Sequence, residues 1–448
     1  MQCADLQRVL ATLPAASEYW VAYSAGVDSH ALLHLLSQCR DDLLVPIKAV
    51  HVNHGLQEDA PKWAAHAQAV CDDLGIELVS LQVSDKPGAN QSVEAFAREQ
   101  RYRLIAEVMP AEAMLLTAQH QDDQAETLML QLLRGAGIDG IASMPLCREF
   151  AQGWLARPLL EVSQDTVMGY AKVHQLKWID DPSNASEAYD RNYLRHQVMP
   201  ALKQRWPHAV QAMAKSASLL GQGRHFISAQ LSEQLHGRIN QGCFSVESFA
   251  EIDSFVRRQL LREWLRFSSC DLPNASRLSS CEKLALSEKD SGEVCWSDVC
   301  VRRYLQQLWI TPRELPEVNS VPQIVRSFDG RIDLEVGKLM ACAAKDGIPK
   351  AAFDEGRVSI YHHTEGCRYR LVGREGQRRF KQLCQELGIP SWSRMLQPLI
   401  MVDDSLWAIG NYRVSAPSGL AEDQAIEFHW ESDWAWIERS SIYCCCLR

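Results

Sequence analysis

The feature that most constrains the fold is a regular alternation of short apolar runs with amphipathic stretches between residues 20 and 134. Short apolar runs are typical of strands buried on both faces, and the stretches between them carry the spacing and end signals of helices. The apolar runs lie at 20–23, 46–52, 76–83 and 113–118, and the helical stretches at 59–74, 93–108 and 121–134. This order predicts an α/β domain with a doubly wound, mostly parallel sheet, in which ligands bind beyond the carboxyl ends of the strands.

The turn after the first strand has the sequence Ser24-Ala25-Gly26-Val27-Asp28-Ser29. Its small residues allow a sharp turn, and Asp28 and Ser29 supply the acceptors that a helix N-terminus favours. Free backbone N–H groups and the positive end of the helix dipole at such a turn attract phosphate. The turn lacks the lysine of the Walker loop. The pattern therefore favours a phosphate-binding turn of another class, with a plain strand–turn–helix corner as the alternative.

Two further polar loops follow predicted strands, so all three loops converge on one edge of the sheet. The second strand leads into a loop with His51, Asn53 and His54. We interpret this loop as hydrogen-bonding to a nucleotide, because no third metal ligand follows nearby in the sequence. The fourth strand leads into His120–Thr127, which begins a helix.

The His120–Thr127 segment is the richest in chemistry. Asp122 and Glu126 are four residues apart and share one helix face. Carboxylates at a helix start after a strand could hold Mg²⁺ against phosphate or receive an amine. The alternative is that Asp122 and Asp123 are first-turn acids that stabilise the helix dipole.

Composition restricts the class of protein. The chain has 448 residues, which favours two to four domains, and 46% of them are hydrophobic, as in soluble globular proteins. No apolar run approaches the ~20 residues that a membrane span needs, and the N-terminus has no basic signal region, so we expect a cytoplasmic protein without membrane contact. The 15 cysteines are scattered without a Cys-x-x-Cys pair, which favours a reduced chain and disfavours a zinc ribbon or an iron–sulfur site.

Changes of pattern along the chain predict three domains and a tail. We expect an α/β domain over 1–215, a mainly helical substrate-binding domain over 216–325, a small α+β domain over 326–436 and a tail over 437–448. The middle region ends in alternating segments around Val294–Ile310, and the prolines at 312, 316 and 322 mark a linker.

The formal net charge is −10, so any nucleic-acid contact must come from a local basic patch. We use the name basic stretch for Gly366–Arg394, which has seven basic residues against two acidic ones. Tyr369, Phe380 and Trp392 lie among these charges, a combination that suits an RNA backbone with some base stacking. A solvated charged face is the alternative.

Taken together, these motifs make the chain resemble the bacterial tRNA(Ile)-lysidine synthases, whose phosphate turn is the PP-loop of N-type ATP pyrophosphatases. The ordered set that carries the resemblance is Ser24–Ser29, His51–Leu56, His120–Thr127, Arg134-Gly135, Arg157–Leu160, Asp180–Asn184, Asp190–Arg195 and Gly373–Trp392. Two features depart from the family pattern. Ala25 stands where the family turn has glycine, and a methyl group there could crowd a phosphate or oppose a positive φ. The segment 438–448 has no counterpart.

The resemblance implies an adenine-nucleotide alpha-hydrolase-like fold and a reaction. Members ligate L-lysine to C2 of the cytidine at the first anticodon position of minor tRNA(Ile), which has a CAU anticodon, using ATP and Mg²⁺. An adenylated tRNA is the intermediate, and pyrophosphate and AMP are released. Members are known as dimers as well as monomers, so a homodimer stays open. The alternatives are a PP-loop enzyme that thiolates tRNA cytidine and a nucleotide-regulated RNA-binding protein.

Carried over to this sequence, the resemblance implies four sets of site residues. The catalytic set is Asp28, His120, Asp122, Asp123, Glu126 and Arg191. The nucleotide set is Ser24, Ala25, Gly26, Val27, Asp28, Ser29, His51, Asn53, His54, Arg134 and Arg157. The tRNA set is Arg195, Arg374, Arg378, Arg379 and Lys381. The Mg²⁺ ligands are Asp28 and Asp122.

Overall fold

The structure is a computed structural model. It describes residues 1–53, 55, 60–85, 93–181, 186–187, 189–240, 243–268, 270–318, 323–325, 330–362, 367–373, 375–415 and 425–432. His54, residues 182–184 of the Asp180–Asn184 motif, Arg374 and the predicted tail lie outside the described residues. The chain divides into two compact units, Met1–Ile227 and Ser228–Arg448. The predicted domain boundaries at 215, 325 and 436 remain predictions.

The first unit contains a six-stranded sheet with the order β3-β2-β1-β4-β6-β5. Its strands are β1 (Tyr19–Ala22), β2 (Ile47–Asn53), β3 (Glu77–Gln82), β4 (Met114–Leu116), β5 (Cys147–Phe150) and β6 (Gly153–Ala156). All neighbours are parallel except the edge pair β5–β6. The predicted doubly wound, mostly parallel sheet is therefore confirmed. Its strand order reverses between β1 and β4, which is where such sheets bind ligands.

Helices cover both faces of this sheet. The helices of the first unit are α1 (Cys3–Leu10), α2 (Val27–Gln38), α3 (Ala60–Leu74), α4 (Val93–Val108), α5 (Gln121–Leu133), α6 (Ile138–Ile141), α7 (Gln164–Val173), α8 (Asp190–Tyr193) and α9 (Met199–Arg205). Alternate strand residues point to opposite faces. Val21 and Leu116 therefore belong to one buried cluster, and Trp20 and Leu115 to the other. Because these strands are buried on both faces, their sequences are continuous apolar runs.

A π-helical turn, Leu194–Val198, joins α8 to α9, and the long helix α10 (Ala209–Arg238) follows. Turns of this type are rare and often occur at functional sites. Here the turn contains Arg195 and directly follows the short helix that contains Arg191.

The second unit contains three sheets. A five-stranded antiparallel sheet packs with helices α11 (Ser254–Phe267) and α12 (Ala275–Ala285) in the region that we predicted to be mainly helical. Its strands are β7 (Ile239–Asn240), β8 (Cys243–Ser245), β9 (Gly292–Trp296), β10 (Val299–Tyr304) and β11 (Gln307–Pro312), so the alternating segments there are strands. Cys295 and Cys300 are cross-strand partners, and their sulfurs lie within disulfide-bonding reach of each other.

The remaining elements form a seven-stranded sheet, a three-stranded sheet and two helices. The strands are β12 (Gln323–Val325), β13 (Arg331–Leu334), β14 (Gly337–Pro349), β15 (Val358–His362), β16 (Arg368–Leu371), β17 (Gln377–Arg379), β18 (Pro398–Val402), β19 (Ser405–Ile409), β20 (Tyr412–Arg413) and β21 (Ala425–Glu431), and the helices are α13 (Lys350–Asp354) and α14 (Phe380–Glu386). This mixture agrees with the predicted α+β character. Among the described helices, none combines the length and apolarity that crossing a membrane requires.

Candidate active site

The turn between β1 and α2 is organised by its own side chains. Ser29 Oγ accepts a hydrogen bond from the Ser24 N–H at 3.2 Å and donates to the Gly26 carbonyl at 3.0 Å. The Ser24 and Ser29 hydroxyls are 3.1 Å apart. Helix α2 begins at Val27, so the first N–H groups of the helix have no partner within it and remain available to an anion. This geometry suits the predicted binding of phosphate.

Ala25, the departure from the family pattern, lies in the left-handed region with φ of 64° and is fully buried. Its carbonyl accepts a hydrogen bond from the Ile179 N–H at 3.0 Å. A non-glycine residue in this conformation costs about 1–2 kcal/mol. The alanine therefore adopts the positive φ that a glycine would adopt without strain. Favourable contacts elsewhere in the fold must offset this cost.

Asp28 lies in the first turn of α2, opposite His120, which caps α5. His120 Nδ1 accepts a hydrogen bond from the Asp123 N–H at 3.4 Å, so the proton of the neutral ring is on Nε2. Nε2 lies 3.7 Å from Asp28 Oδ2. The other Asp28 oxygen, Oδ1, is buried and has no hydrogen-bond partner in the described structure. Burial raises the pKa of Asp28, and the negative charge of Asp123 acts in the same direction.

Asp123 and Glu126 are held by two arginines. Glu126 is 2% exposed and accepts hydrogen bonds from Arg191 Nε at 2.9 Å and from Arg195 Nε at 2.7 Å. Asp123 Oδ1 accepts from Arg191 Nη2 at 2.7 Å and from Arg195 Nη2 at 3.0 Å. Burial alone would lower the pKa of Arg195, but Glu126 and Asp123 outweigh it and raise that pKa. Arg195, which we predicted to contact tRNA, therefore pairs with the carboxylates of Asp123 and Glu126 in this structure.

Asp122 is held by a residue that the sequence did not single out. Its Oδ1 accepts from Lys203 Nζ at 2.6 Å, and its Oδ2 accepts from the Gln164 N–H at 2.9 Å. Burial opposes ionisation of Asp122, but these two donors outweigh it and lower the pKa of the carboxyl group. Lys203 is 81 residues away along the chain, so no local pattern could have paired it with Asp122.

Charges in this cluster do not cancel. The four carboxylates of Asp28, Asp122, Asp123 and Glu126 face three cations, which belong to Arg191, Arg195 and Lys203. Within the described chain, Asp28 forms no ion pair with any of these three cations, although the charge of Arg195 acts to lower its pKa, and the side chain nearest to its carboxylate is the imidazole of His120. The cluster therefore has room for one further positive charge at Asp28.

The second predicted loop lies at the same edge. His51 is buried, and its Nδ1 donates to the Tyr23 carbonyl at 2.9 Å, which leaves Nε2 as an acceptor. Burial lowers the pKa of His51 and keeps the ring neutral. Asn53 Oδ1 accepts from the Gly55 N–H at 2.8 Å.

The two arginines predicted to contact the nucleotide, Arg134 and Arg157, differ in where the fold places them. Arg157 follows β6 but is 3% exposed, and its Nη1 donates to the Pro145 carbonyl at 2.7 Å. Arg134 is exposed at the end of α5. The rise of the helix separates it from His120 by about 20 Å. The structure thus brings Arg157 to the strand edge and leaves Arg134 far from the phosphate turn.

The basic stretch has exposed charges and buried aromatic rings. Arg379 and Lys381 are exposed, and Arg378 is an exposed partner of Glu386 at 2.6 Å. Tyr369 and Phe380 are buried against each other, with ring centroids 5.9 Å apart. Our expectation that these two rings stack on RNA is wrong, because they belong to the core of the seven-stranded sheet.

Comparison with known proteins identifies three family domains along the chain. The PP-loop domain family matches residues 3–202, the TilS substrate binding domain matches 244–309, and the TilS substrate C-terminal domain matches 358–430. The tRNA(Ile)-lysidine synthase of Vibrio cholerae serotype O1 is 36% identical over 398 residues, which cover 87% of this chain and 90% of that protein. The chain belongs to the tRNA(Ile)-lysidine synthase family.

Other relatives extend the match over almost the full length. The tRNA(Ile)-lysidine synthase of Methylococcus capsulatus is 33% identical and covers 95% of this chain and 99% of its own length. That of Edwardsiella ictaluri is 34% identical and covers 97% and 100%. Among solved structures, a U34-tRNA thiolase from Methanococcus maripaludis is 19% identical, with a TM-score of 0.42, and covers 49% of this chain and 78% of its own.

Proposed function

We propose that this chain ligates L-lysine to C2 of the cytidine at the first anticodon position of minor tRNA(Ile), with its CAU anticodon, at the expense of ATP. Family membership over nearly the whole chain supports the reaction. The observation that carries the proposal to this chain is the carboxylate cluster beside the phosphate turn, with Asp28 one cation short. The substrate amine of lysine reaches the site as a cation, so this edge attracts it.

In the first step, the cytosine O2 attacks the α-phosphorus of ATP. A bond forms between cytosine O2 and the α-phosphorus. The bond between the α-phosphorus and the oxygen that bridges it to the β-phosphate breaks, and pyrophosphate leaves. The backbone N–H groups at the start of α2 bind the pyrophosphate portion, with Ser24 and Ser29 fixing the turn. The base must leave its stack to bring O2 to the phosphorus.

A divalent cation fits the residues present. Asp28 Oδ1 is a buried oxygen without a partner in the described structure, and Mg²⁺ commonly binds through one or two carboxylates together with substrate phosphates. Bound Mg²⁺ neutralises charge on the phosphates. Asp28 is the ligand we favour, since the oxygens of Asp122 are already hydrogen-bonded to Lys203 and Gln164.

In the second step, the lysine ε-amine attacks C2 of the adenylated base. A C–N bond forms, the bond from C2 to O2 breaks, and AMP leaves with that oxygen. Only the neutral amine attacks, so the ammonium must first lose a proton. The carboxylate cluster beside the phosphate turn is our proposed acceptor for this proton.

Lysine-dependent AMP release tests this function. A minor tRNA(Ile) transcript with C at the first anticodon position should release AMP only when lysine is present, whereas the same transcript with U there should not. Absence of lysine-dependent AMP release would refute the proposal. A thiolating enzyme would instead need a sulfur source, and the sequence has no Cys-x-x-Cys pair to hold a cluster.

The two steps can be separated by variants. Asp122→Asn and Glu126→Gln should be measured separately for formation of adenylated tRNA and for transfer of lysine. We expect each change to reduce at least one of the steps by more than about tenfold, because each removes a buried charge from the cluster. Full retention of both steps in either variant would remove that residue from the site.

The basic stretch is our proposed contact for the tRNA backbone. Reversing two exposed charges, Arg379→Glu with Lys381→Glu, should weaken tRNA binding and reduce its salt dependence. Arg357→Glu is a matched control, because Arg357 is an exposed arginine of the same unit that is already paired with Asp403 and Glu355. An unchanged salt slope would remove the basic stretch from the interface.

A further inference from the structure

One group of arginines on the first unit lies outside the carboxylate cluster. Helix α4 and the edge strand β5 bring together two rings, Tyr102 and Phe150, with centroids 5.7 Å apart in an edge-to-face arrangement. The Arg98 guanidinium lies 5.2 Å from the Tyr102 centroid, and the Arg148 guanidinium lies 5.6 Å from the Phe150 centroid. We name these four residues the arginine–aromatic surface.

The charges of this surface are not neutralised within the described chain. Arg98 and Arg148 are exposed, and neither forms an ion pair with a carboxylate among the residues that the structure describes. The hydrogen bond of Arg148 goes to a backbone carbonyl, that of Glu149, at 3.2 Å. Each guanidinium thus lies over an aromatic ring without a carboxylate partner in the described chain.

A buried arginine nearby strengthens the positive field. Arg157 is 3% exposed, and its Nε has no hydrogen-bond partner in the described structure. Burial lowers the pKa of Arg157 to about 10, and repulsion by Arg148 and Arg98 acts in the same direction. The protein therefore concentrates positive charge here, although its net charge is −10.

An arrangement of this kind suits phosphate in a nucleic-acid backbone. A guanidinium stacked on a ring keeps its planar fork of donors fixed, which favours phosphate oxygens over a single hydrated ion. Phosphate contacts of this type position a nucleic acid without reading its sequence. The surface also lies beside Arg157, which follows β6 at the strand edge of the candidate active site.

We propose that the arginine–aromatic surface binds backbone phosphates of the tRNA while its anticodon is at the candidate active site. The proposal rests on the proposed function, since it takes minor tRNA(Ile) as the substrate. It adds a contact that the sequence analysis did not contain, because Arg98 and Arg148 are 50 residues apart and belong to no motif.

The double variant Arg98→Gln with Arg148→Gln tests this surface in the full-length protein. We expect the dissociation constant for minor tRNA(Ile) to rise roughly tenfold and the slope of log K against log salt to fall by about two, one for each lost phosphate contact. The KM values for ATP and lysine should not change. Arg103→Gln is the matched control, because Arg103 lies on the same helix but pairs with Asp85 and Glu107.

Two results would overturn the proposal. In one, the double variant has the tRNA affinity and salt slope of the Arg103→Gln control. In the other, the KM for ATP rises while tRNA affinity stays unchanged, so that the phosphates bound here are those of ATP. If the double variant has a lower urea midpoint, Arg148→Gln alone decides the question, with an expected slope change of about one. Lysidine formation by the unmodified chain tests the proposed function separately.

Discussion

Each unit contains a buried glutamate held by two arginines, and the two differ in what else is present. In the first unit, Glu126 binds Arg191 and Arg195. In the second unit, Glu282 on α12 accepts from Arg257 at 2.8 Å and from Arg258 at 3.1 Å, both on α11. The second arrangement fastens two adjacent helices.

The surroundings of the two glutamates distinguish a structural ion pair from the candidate active site. Glu126 lies in a cluster with three more carboxylates, and one of them, Asp28, has a buried oxygen without a partner. Glu282 has no such neighbour among its contacts in the described chain. Burial of an ion pair is therefore not by itself a sign of function. A better indication of function is an uncompensated charge that lies beside the ion pair, at the edge of the sheet where ligands bind in this fold class.

Replacing each glutamate with glutamine should produce the largest effect and should separate the two roles. Glu282→Gln leaves Arg257 and Arg258 without their shared carboxylate, and Glu126→Gln leaves Arg191 and Arg195 with Asp123 alone, so each should lower the free energy of unfolding by about 3 kcal/mol in urea titrations. Only Glu126→Gln should also abolish lysidine formation per folded molecule. The exposed ion pair between Arg378 and Glu386 gives the control, since Glu386→Gln should lower the free energy of unfolding by less than ~1 kcal/mol. Equal loss of activity in both buried variants would contradict the comparison.

Asp28→Asn should have opposite effects on activity and stability. Folding raises the pKa of Asp28 above its usual 3.8, so the folded protein binds this proton more tightly than the unfolded chain. The ionised carboxylate therefore costs stability at neutral pH, and the neutral amide removes that cost. We expect a higher Tm together with lysidine formation below about 1% of the original rate, since the carboxylate is lost from the site. A lower Tm would show that Asp28 stabilises the fold.

Stability should fall as the pH drops below 6.5. Burial lowers the pKa of His30 and of His34 below 6.5, so the unfolded chain takes up these protons first. The stability from the neutral rings is present above pH 6.5 and is lost as the pH falls toward the lowered values. Urea midpoints at pH 7.5 and 5.5 measure this loss, which should be smaller in His30→Gln than in the exposed control His208→Gln. Equal losses in both variants would contradict the prediction.

Ala25→Gly should have the smallest effect. Glycine adopts φ of 64° without strain, which favours the variant by about 1 kcal/mol. Its greater freedom in the unfolded chain and the loss of a buried methyl group offset that gain. The free energy of unfolding should therefore change by less than about 1 kcal/mol, and the KM for ATP should stay the same. A large rise in affinity for ATP would show that the methyl group of Ala25 crowds the phosphate.

Much of the catalytic unit was predictable because its signals are local. Periodicity placed β1 to β4 and helices α3, α4 and α5 within a few residues, since each element depends on its own side chains and end signals. The three polar loops were found for the same reason. The strands of the second unit were harder, because short antiparallel strands such as β9 and β10 depend on their cross-strand partners.

The sequence alone predicted the first residues of the candidate site, which are the Ser24–Ser29 turn, His51, and the Asp122 and Glu126 pair on one helix face. Only the tertiary structure decided which cations meet them. Arg195 lies 69 residues from Glu126 and Lys203 lies 81 residues from Asp122, and such pairs form through packing that no local pattern encodes. It also decided that Tyr369 and Phe380 face the core and that Arg98 and Arg148 meet at one surface. Local side-chain patterns determine the helices and strands, and tertiary packing determines which of their side chains meet.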